Sequence, residues 1–241
     1  YDFVRRCYGD FEFMRELLLE IGTEEIPAGF IPQALSDLES LAQKELEANR
    51  IEFSGLKTLG TPRRLVLVVE SVAEKQKDVE IRKIGPSKQA TFEPKGSPTK
   101  AAIGFAKSQS VTVESLEVVE TDKGDYVSAV KKETGKPTLE ILSSIVPKLV
   151  LSIPFQKSMR WADVPVRFAR PIHWILALFG GEGIPFEVGN VKSGKVTYGH
   201  RFMDPGPIPV NDFGSYLQKT RKAFVIVDPA ERKKRIEEEM I

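Results

Sequence analysis

At 241 residues, with 35 basic against 34 acidic side chains and a net charge of +1, the chain can bury a sizeable core but lacks the overall basicity of a strongly DNA-binding domain. Hydrophobic content of 41% and charged content of 29% fit a soluble globular protein, and no apolar run approaches the ~20 residues of a membrane span. The single cysteine, Cys7, excludes an internal disulfide and suits a reducing cytoplasm.

In chain order, Glu16 to Ile21 is short, apolar and followed by glycine, which predicts a strand. Glu24 and Glu25 suggest an acid/base pair, but adjacent strand residues point to opposite faces, so the expected role is more modest: a carboxylate near the start of the next helix. That helix is predicted from Pro32 to Asn49, with apolar residues at 35, 38, 41, 42 and 46. A Gly-Thr-Pro turn then leads into RRLVLVVESV, read as a central strand with Arg63 and Arg64 at its mouth. Val79 to Ile84 alternates and is read as a partner strand. Ser87 to Lys100 reads as a polar loop, Thr99 as the cap of a short helix, and Leu116 to Val130 as a β-hairpin.

Pro137 to Pro154 carries apolar residues at 139, 142, 145, 146, 149 and 150, a helix that Pro147 is expected to kink or split. Ile172 to Phe179, then Gly-Gly-Glu-Gly and IPFEV, predicts a second hairpin. Asn211 to Thr220 reads as a short helix capped by Asn211 or Asp212, KAFVIV as a strand, and DPAERKKRIEEEMI as a helix with Asp228 at its N-cap and Pro229 at its first position. The expected fold is therefore α+β, with mixed, mainly antiparallel sheets and packed helices. The expected organisation is an extension over residues 1–13, a first α+β region over 14–153 with a candidate inserted subdomain at 86–135, and a second, truncated region over 154–241.

Charge is unevenly spread. Residues 1–50 hold eleven acids against five bases, whereas residues 82–107 hold six bases against one acid. Between Leu151 and Arg201, seven Lys or Arg stand against three acids. There Lys157, Arg160, Arg167 and Arg170 alternate with Phe155, Trp161, Phe168 and Trp174, and the segment closes on YGHRF, Tyr198 to Phe202. Cations among aromatic neighbours suit a phosphate-bearing partner; the plainer reading is a half-buried sheet whose outer face carries arginines for solubility. Of the two histidines, His173 lies in an apolar run and is expected to be a satisfied core residue, and His200 is the better candidate for a contact. Two histidines 27 apart with no Cys or repeated acid at ligand spacing do not make a metal site.

Taken in order, LLLEIGTEEIPA (Leu17 to Ala28), GTPRRLVL (Gly60 to Leu67), MRW, FARPIHW, IPFE and GHRF resemble the N-terminal part of the β subunit of bacterial two-subunit glycyl-tRNA synthetase. One departure is Ala162 after MRW, where that family usually has glycine. The resemblance starts near Met14, which marks residues 1–13 as an extension. It implies a non-catalytic subunit that engages tRNA(Gly) and scaffolds a complex of two α and two β subunits. The α subunit would bind glycine and ATP, with no cofactor in this chain. The absence of a phosphate-loop motif and of a nucleophile–histidine set agrees with that division. The candidate RNA-binding residues are Arg63, Arg64, Lys157, Arg160, Arg170, His200 and Arg201, of which the five arginines are expected to share one face. The alternative is a subunit-interaction module that never touches RNA, with bare apolar surface at Trp161 and Trp174.

Overall fold

The computed structural model describes residues 14–93, 97–122, 124–161 and 163–240; residues 1–13, Pro94, Ala162 and the expectations attached to them lie outside this set. The chain divides into two compact units. One comprises the chain up to Gln76 together with the chain from Lys136 onward, and the other is Lys77–Gly135.

In the first unit a seven-stranded sheet runs in the order β2-β3-β1-β7-β10-β9, with the short β8 (Glu182–Gly183) beside β7. Its centre is β1 (Met14–Thr23), antiparallel to both β3 (Arg64–Ala73) and β7 (Ile172–Phe179). Next to β3 lies β2 (Phe53–Thr61), and beyond β7 come β10 (Val191–Gly194), the one parallel neighbour, and β9 (Glu187–Val188). β7, from the second α+β region expected over 154–241, is thus bonded directly to the first strand. The mixed, mainly antiparallel α+β fold is as expected.

Both faces of the central strands are buried, which is why they read as near-continuous apolar runs. Leu17, Leu19 and Ile21 of β1, Leu65, Leu67 and Val69 of β3, and Ile175, Ala177 and Phe179 of β7 share one face. It packs on α1 (Ile31–Ala48) and α4 (Thr138–Ser152). The alternate residues, Leu18, Val66, Val68, Leu176 and Leu178, pack on Tyr216 of α5 (Phe213–Lys222) and on Val210 and Val227. α6 (Pro229–Glu239) follows, with Asp228 accepting from the Ala230 amide. A separate ribbon of β11 (Val196–Tyr198) and β12 (Pro207–Pro209) precedes α5.

Two expectations are corrected here. α4 runs unbroken through Pro147. An interior proline costs about 3 kcal/mol, whereas the six apolar side chains of its buried stripe each contribute about 1.5–3 kcal/mol, so packing outweighs the lost bond. KAFVIV forms no strand: Phe224 is left-handed (φ 62°) and the Val225 amide donates to the Thr220 carbonyl at 2.8 Å, closing the end of α5.

The second unit holds a three-stranded antiparallel sheet, β4-β6-β5, of β4 (Val79–Ser87), β5 (Glu117–Thr121) and β6 (Gly124–Glu133). The alternating segment at 79–84 therefore pairs with β6 and not with β3. Alternation reports a half-buried strand but carries no information about its partner. A four-residue α2 (Lys88–Thr91) and α3 (Lys100–Gln109) complete the unit. The Thr99 hydroxyl accepts from the Ala102 amide, as its cap role requires.

Candidate functional site

The sequence motifs meet at one end of the large sheet. β2 and β3 are joined by Pro62-Arg63 alone, with Thr61 paired to Arg64. Arg63 therefore sits at the tip of the turn, and Arg64, the first residue of β3, turns its side chain into the sheet face. The segment after β1 is laced to this turn. The Thr23 amide donates to the Arg63 carbonyl (2.8 Å), the Ile26 amide to the Pro62 carbonyl (2.7 Å) and the Glu24 amide to the Pro171 carbonyl (3.1 Å).

On the α5 side of the sheet lies a buried polar network. Glu20, with no exposed surface, accepts hydrogen bonds from Arg64 Nη1 (3.0 Å), Trp174 Nε1 (3.1 Å) and the Tyr216 hydroxyl (2.9 Å). Arg64 Nη2 donates to the Tyr198 carbonyl at 3.0 Å. Gly22 faces Arg64 on one neighbouring strand and Trp174 on the other. A Cβ there would fall 2.0 Å from the Trp174 ring, so only glycine lets the guanidinium lie over the indole, 5.5 Å from its centre. Burial is the largest influence on Arg64 and opposes its charge, but the Glu20 carboxylate and Tyr216 together outweigh it and raise the guanidinium above its ordinary range. Burial pushes the Tyr216 phenol well up, and the Glu20 charge pushes it the same way. Arg64 is thus corrected from surface contact to internal counter-ion: a side chain only 3% exposed and bonded on two sides cannot reach an RNA phosphate.

The other motif cations behave differently. Arg170 donates from Nε to the Glu25 carbonyl (3.1 Å) and from Nη1 to the Ala169 carbonyl (3.0 Å). Arg201, half exposed, pairs with the Glu25 carboxylate at 3.2 Å and lies over the Phe202 ring at 4.7 Å. His200 Nδ1 accepts from the Phe202 and Met203 amides, both at 3.3 Å, which leaves Nε2 as the donor. Arg63 has no carboxylate partner among the described residues, and its Nε is shielded from solvent without an acceptor.

Arg63, His200, Arg201 and Glu25 line a cleft of about 480 Å³, and an adjoining hollow of about 290 Å³ shares Arg63, Gly199 and Arg201. Lys157 and Arg160 line neither. They are exposed on the connection from α4 to β7, which is pinned to the other core by the edge-on Phe155–Phe168 contact and by Trp161. Of the arginines expected to share a face, Arg63, Arg64 and Arg201 line the cleft, Arg64 with its side chain turned into the sheet, and Arg160 does not line it.

His173 is also corrected. It is half exposed, with Nε2 3.0 Å from Glu24, because it stands at the mouth of β7 beyond the packed layer. Trp174 is buried and Trp161 half buried, so neither supplies bare apolar surface; exposed apolar side chains occur instead at Phe202, Met203 and Phe224. Sequence reasoning missed Arg232, which lines the cleft from α6 and spends its donors on the Ile226, Val227 and Gly60 carbonyls. Its charge run gave no sign of this inward reach.

The profile of a protein family described as glycyl-tRNA synthetase beta subunit matches residues 17–241. The chain belongs to this family. It is 55% identical over 227 residues to the glycine–tRNA ligase beta subunit of Geobacter metallireducens, covering 94% of this chain and 33% of the relative. It is 53% identical over 224 residues to that of Syntrophus aciditrophicus, covering 93% of this chain and 32% of the relative. The chain thus spans about a third of the length of the curated relatives it matches. Among the described residues no helix is long and apolar enough to cross a membrane.

Proposed function

We propose that this chain forms the N-terminal region of a non-catalytic glycyl-tRNA synthetase β subunit. In this reading it supports ATP-dependent attachment of glycine to tRNA(Gly) in the cytoplasm by contacting the tRNA and by scaffolding the complex. The α subunit supplies glycine and ATP binding and the adenylate chemistry, and two α and two β subunits assemble. The chain itself carries no cofactor and is inactive alone.

The observation that carries the tRNA contact is the cationic cleft. Arg63 sits at a two-residue turn with no side-chain partner among the described residues, beside Arg201 and His200. Arginine's planar fork suits phosphate oxygens, and a cation on a rigid turn loses little entropy when it binds. Glu25 also lines the cleft, but its carboxylate is neutralised by Arg201. Lys157 and Arg160, exposed elsewhere, add sequence-independent attraction. Arg170 acts by holding the Glu25 backbone, not by touching RNA.

The test is short-range crosslinking of tRNA(Gly) to the assembled α/β enzyme, mapped by mass spectrometry. Crosslinks are expected in the 60–64 and 198–203 segments. Affinity should fall with salt by a logarithmic slope of roughly 0.7 to 0.9 per phosphate contact. Crosslinks confined to other parts of an enzyme that still charges tRNA would refute the contact and leave a purely structural interaction module.

A further inference from the structure

The cleft has a second property that neutralising phosphates does not require. One aromatic side chain, Phe224, lines it and is 57% exposed, and Phe202 and Met203, which follow the lining residues His200 and Arg201 in the chain, are 76% and 60% exposed. Phe202 is braced from beneath, with the Arg201 guanidinium 4.7 Å from its ring centre and the His200 imidazole 6.1 Å away. The His200 Nδ1 bonds to the Phe202 and Met203 amides fix the turn that presents the ring. An aromatic ring held in this way, beside two residues that line the cleft together with Arg63, matches how proteins grip single-stranded nucleic acid. A base inside a duplex has no free π-face to offer, whereas an unpaired one does. The volume of about 480 Å³ lies in the range of small-ligand clefts and suits one nucleotide, not a helical groove.

We propose that this cleft binds one unpaired RNA nucleotide, with its phosphate on Arg63 and its base stacked on Phe202. The inference rests on the tRNA-contact reading and specifies it. His200 lines the same cleft and offers its Nε2 donor to a phosphate or base oxygen. Phe224, which lines the cleft, shields the stacked base from water.

The experiment uses the assembled α/β enzyme with Phe202→Ala and Arg63→Met variants of the β subunit. The probes are a short single-stranded oligoribonucleotide bearing one photoreactive thiouridine and the same strand annealed to its complement. The single strand should crosslink to the 198–203 peptide and the duplex should not. Phe202→Ala should weaken single-strand binding roughly five- to a hundredfold, and Arg63→Met about tenfold or more. Phe202 is largely exposed, so its loss should leave the urea midpoint unchanged and the binding defect attributable to the site. Equal binding of duplex and single strand, dependent on Arg63 but indifferent to Phe202, would overturn the nucleotide site while leaving the tRNA contact standing. Indifference to both variants would overturn it as well, and the parent reading would then stand or fall on the tRNA crosslinks alone.

Discussion

Replacing Arg64 with methionine tests whether the sheet is organised around an internal ion pair. The substitution keeps most of the side-chain volume and removes two hydrogen bonds, to Glu20 and to the Tyr198 carbonyl. Glu20 keeps its Trp174 and Tyr216 donors but loses the Arg64 counter-charge in a site closed to water. Breaking a buried pair from one side costs about 3–5 kcal/mol. With a urea dependence of about 2 kcal/mol per molar, the unfolding midpoint should fall by about 1.5–2.5 M. Both tryptophans, Trp161 and Trp174, belong to the first unit, so their emission reports that unit alone. In the double variant Glu20→Gln/Arg64→Met neither charge remains, and its cost should fall short of the summed single costs by about 1–3 kcal/mol. A loss below about 1 kcal/mol for Arg64→Met, or strict additivity, would refute the network as the organising element.

Two further outcomes follow from the same residues. Gly22→Ala places a methyl group inside the Trp174 ring. It should cost at least the 1–3 kcal/mol typical of overpacking and shift Trp174 emission to the red; an unchanged midpoint and spectrum would mean that the ring can move aside. Tyr216→Phe removes one bond to a charged acceptor, worth about 1.5–3 kcal/mol at neutral pH. It should also change the alkaline limb. The folded phenol is raised, so its contribution is complete below about pH 10 and drains away above it, by about 1.4 kcal/mol per pH unit. Urea midpoints measured from pH 9 to 11 should therefore fall more steeply in the parent than in the variant, and parallel slopes would contradict the burial.

Much of the architecture was legible from period and punctuation. The apolar runs of β1 and β3, the stripes of α1 and α4 and the caps at Thr99, Asp212 and Asp228 are local signals, and local physics decides them. What escaped the sequence depends on pairing at a distance. Nothing near Val79 names β6 as its partner, and nothing in KAFVIV shows that Phe224 must turn left-handed to close α5. The site was half legible. The motifs were found, but adjacent arginines look alike in one dimension. Only the two-residue turn decides that Arg63 stays at the surface while Arg64 enters the core. Glu20 was invisible for the same reason, since an acid in an apolar strand declares its purpose only through a cation 44 positions away.

The point where the chain leaves the large sheet for Lys77–Gly135 and comes back is itself tied shut. The Gln76 amide donates to the Lys136 carbonyl, and the Lys136 amide to the Gln76 side chain. The Thr138 amide and hydroxyl then return to the Glu74 and Ala73 carbonyls. A neck sealed in this manner relieves the sheet of any dependence on how much chain hangs from it. Doubling the excursion would cost only about 0.6 kcal/mol in closure entropy, and trimming it would cost less still. Lengthening or shortening this excursion should therefore leave the strand order of the large sheet as it is.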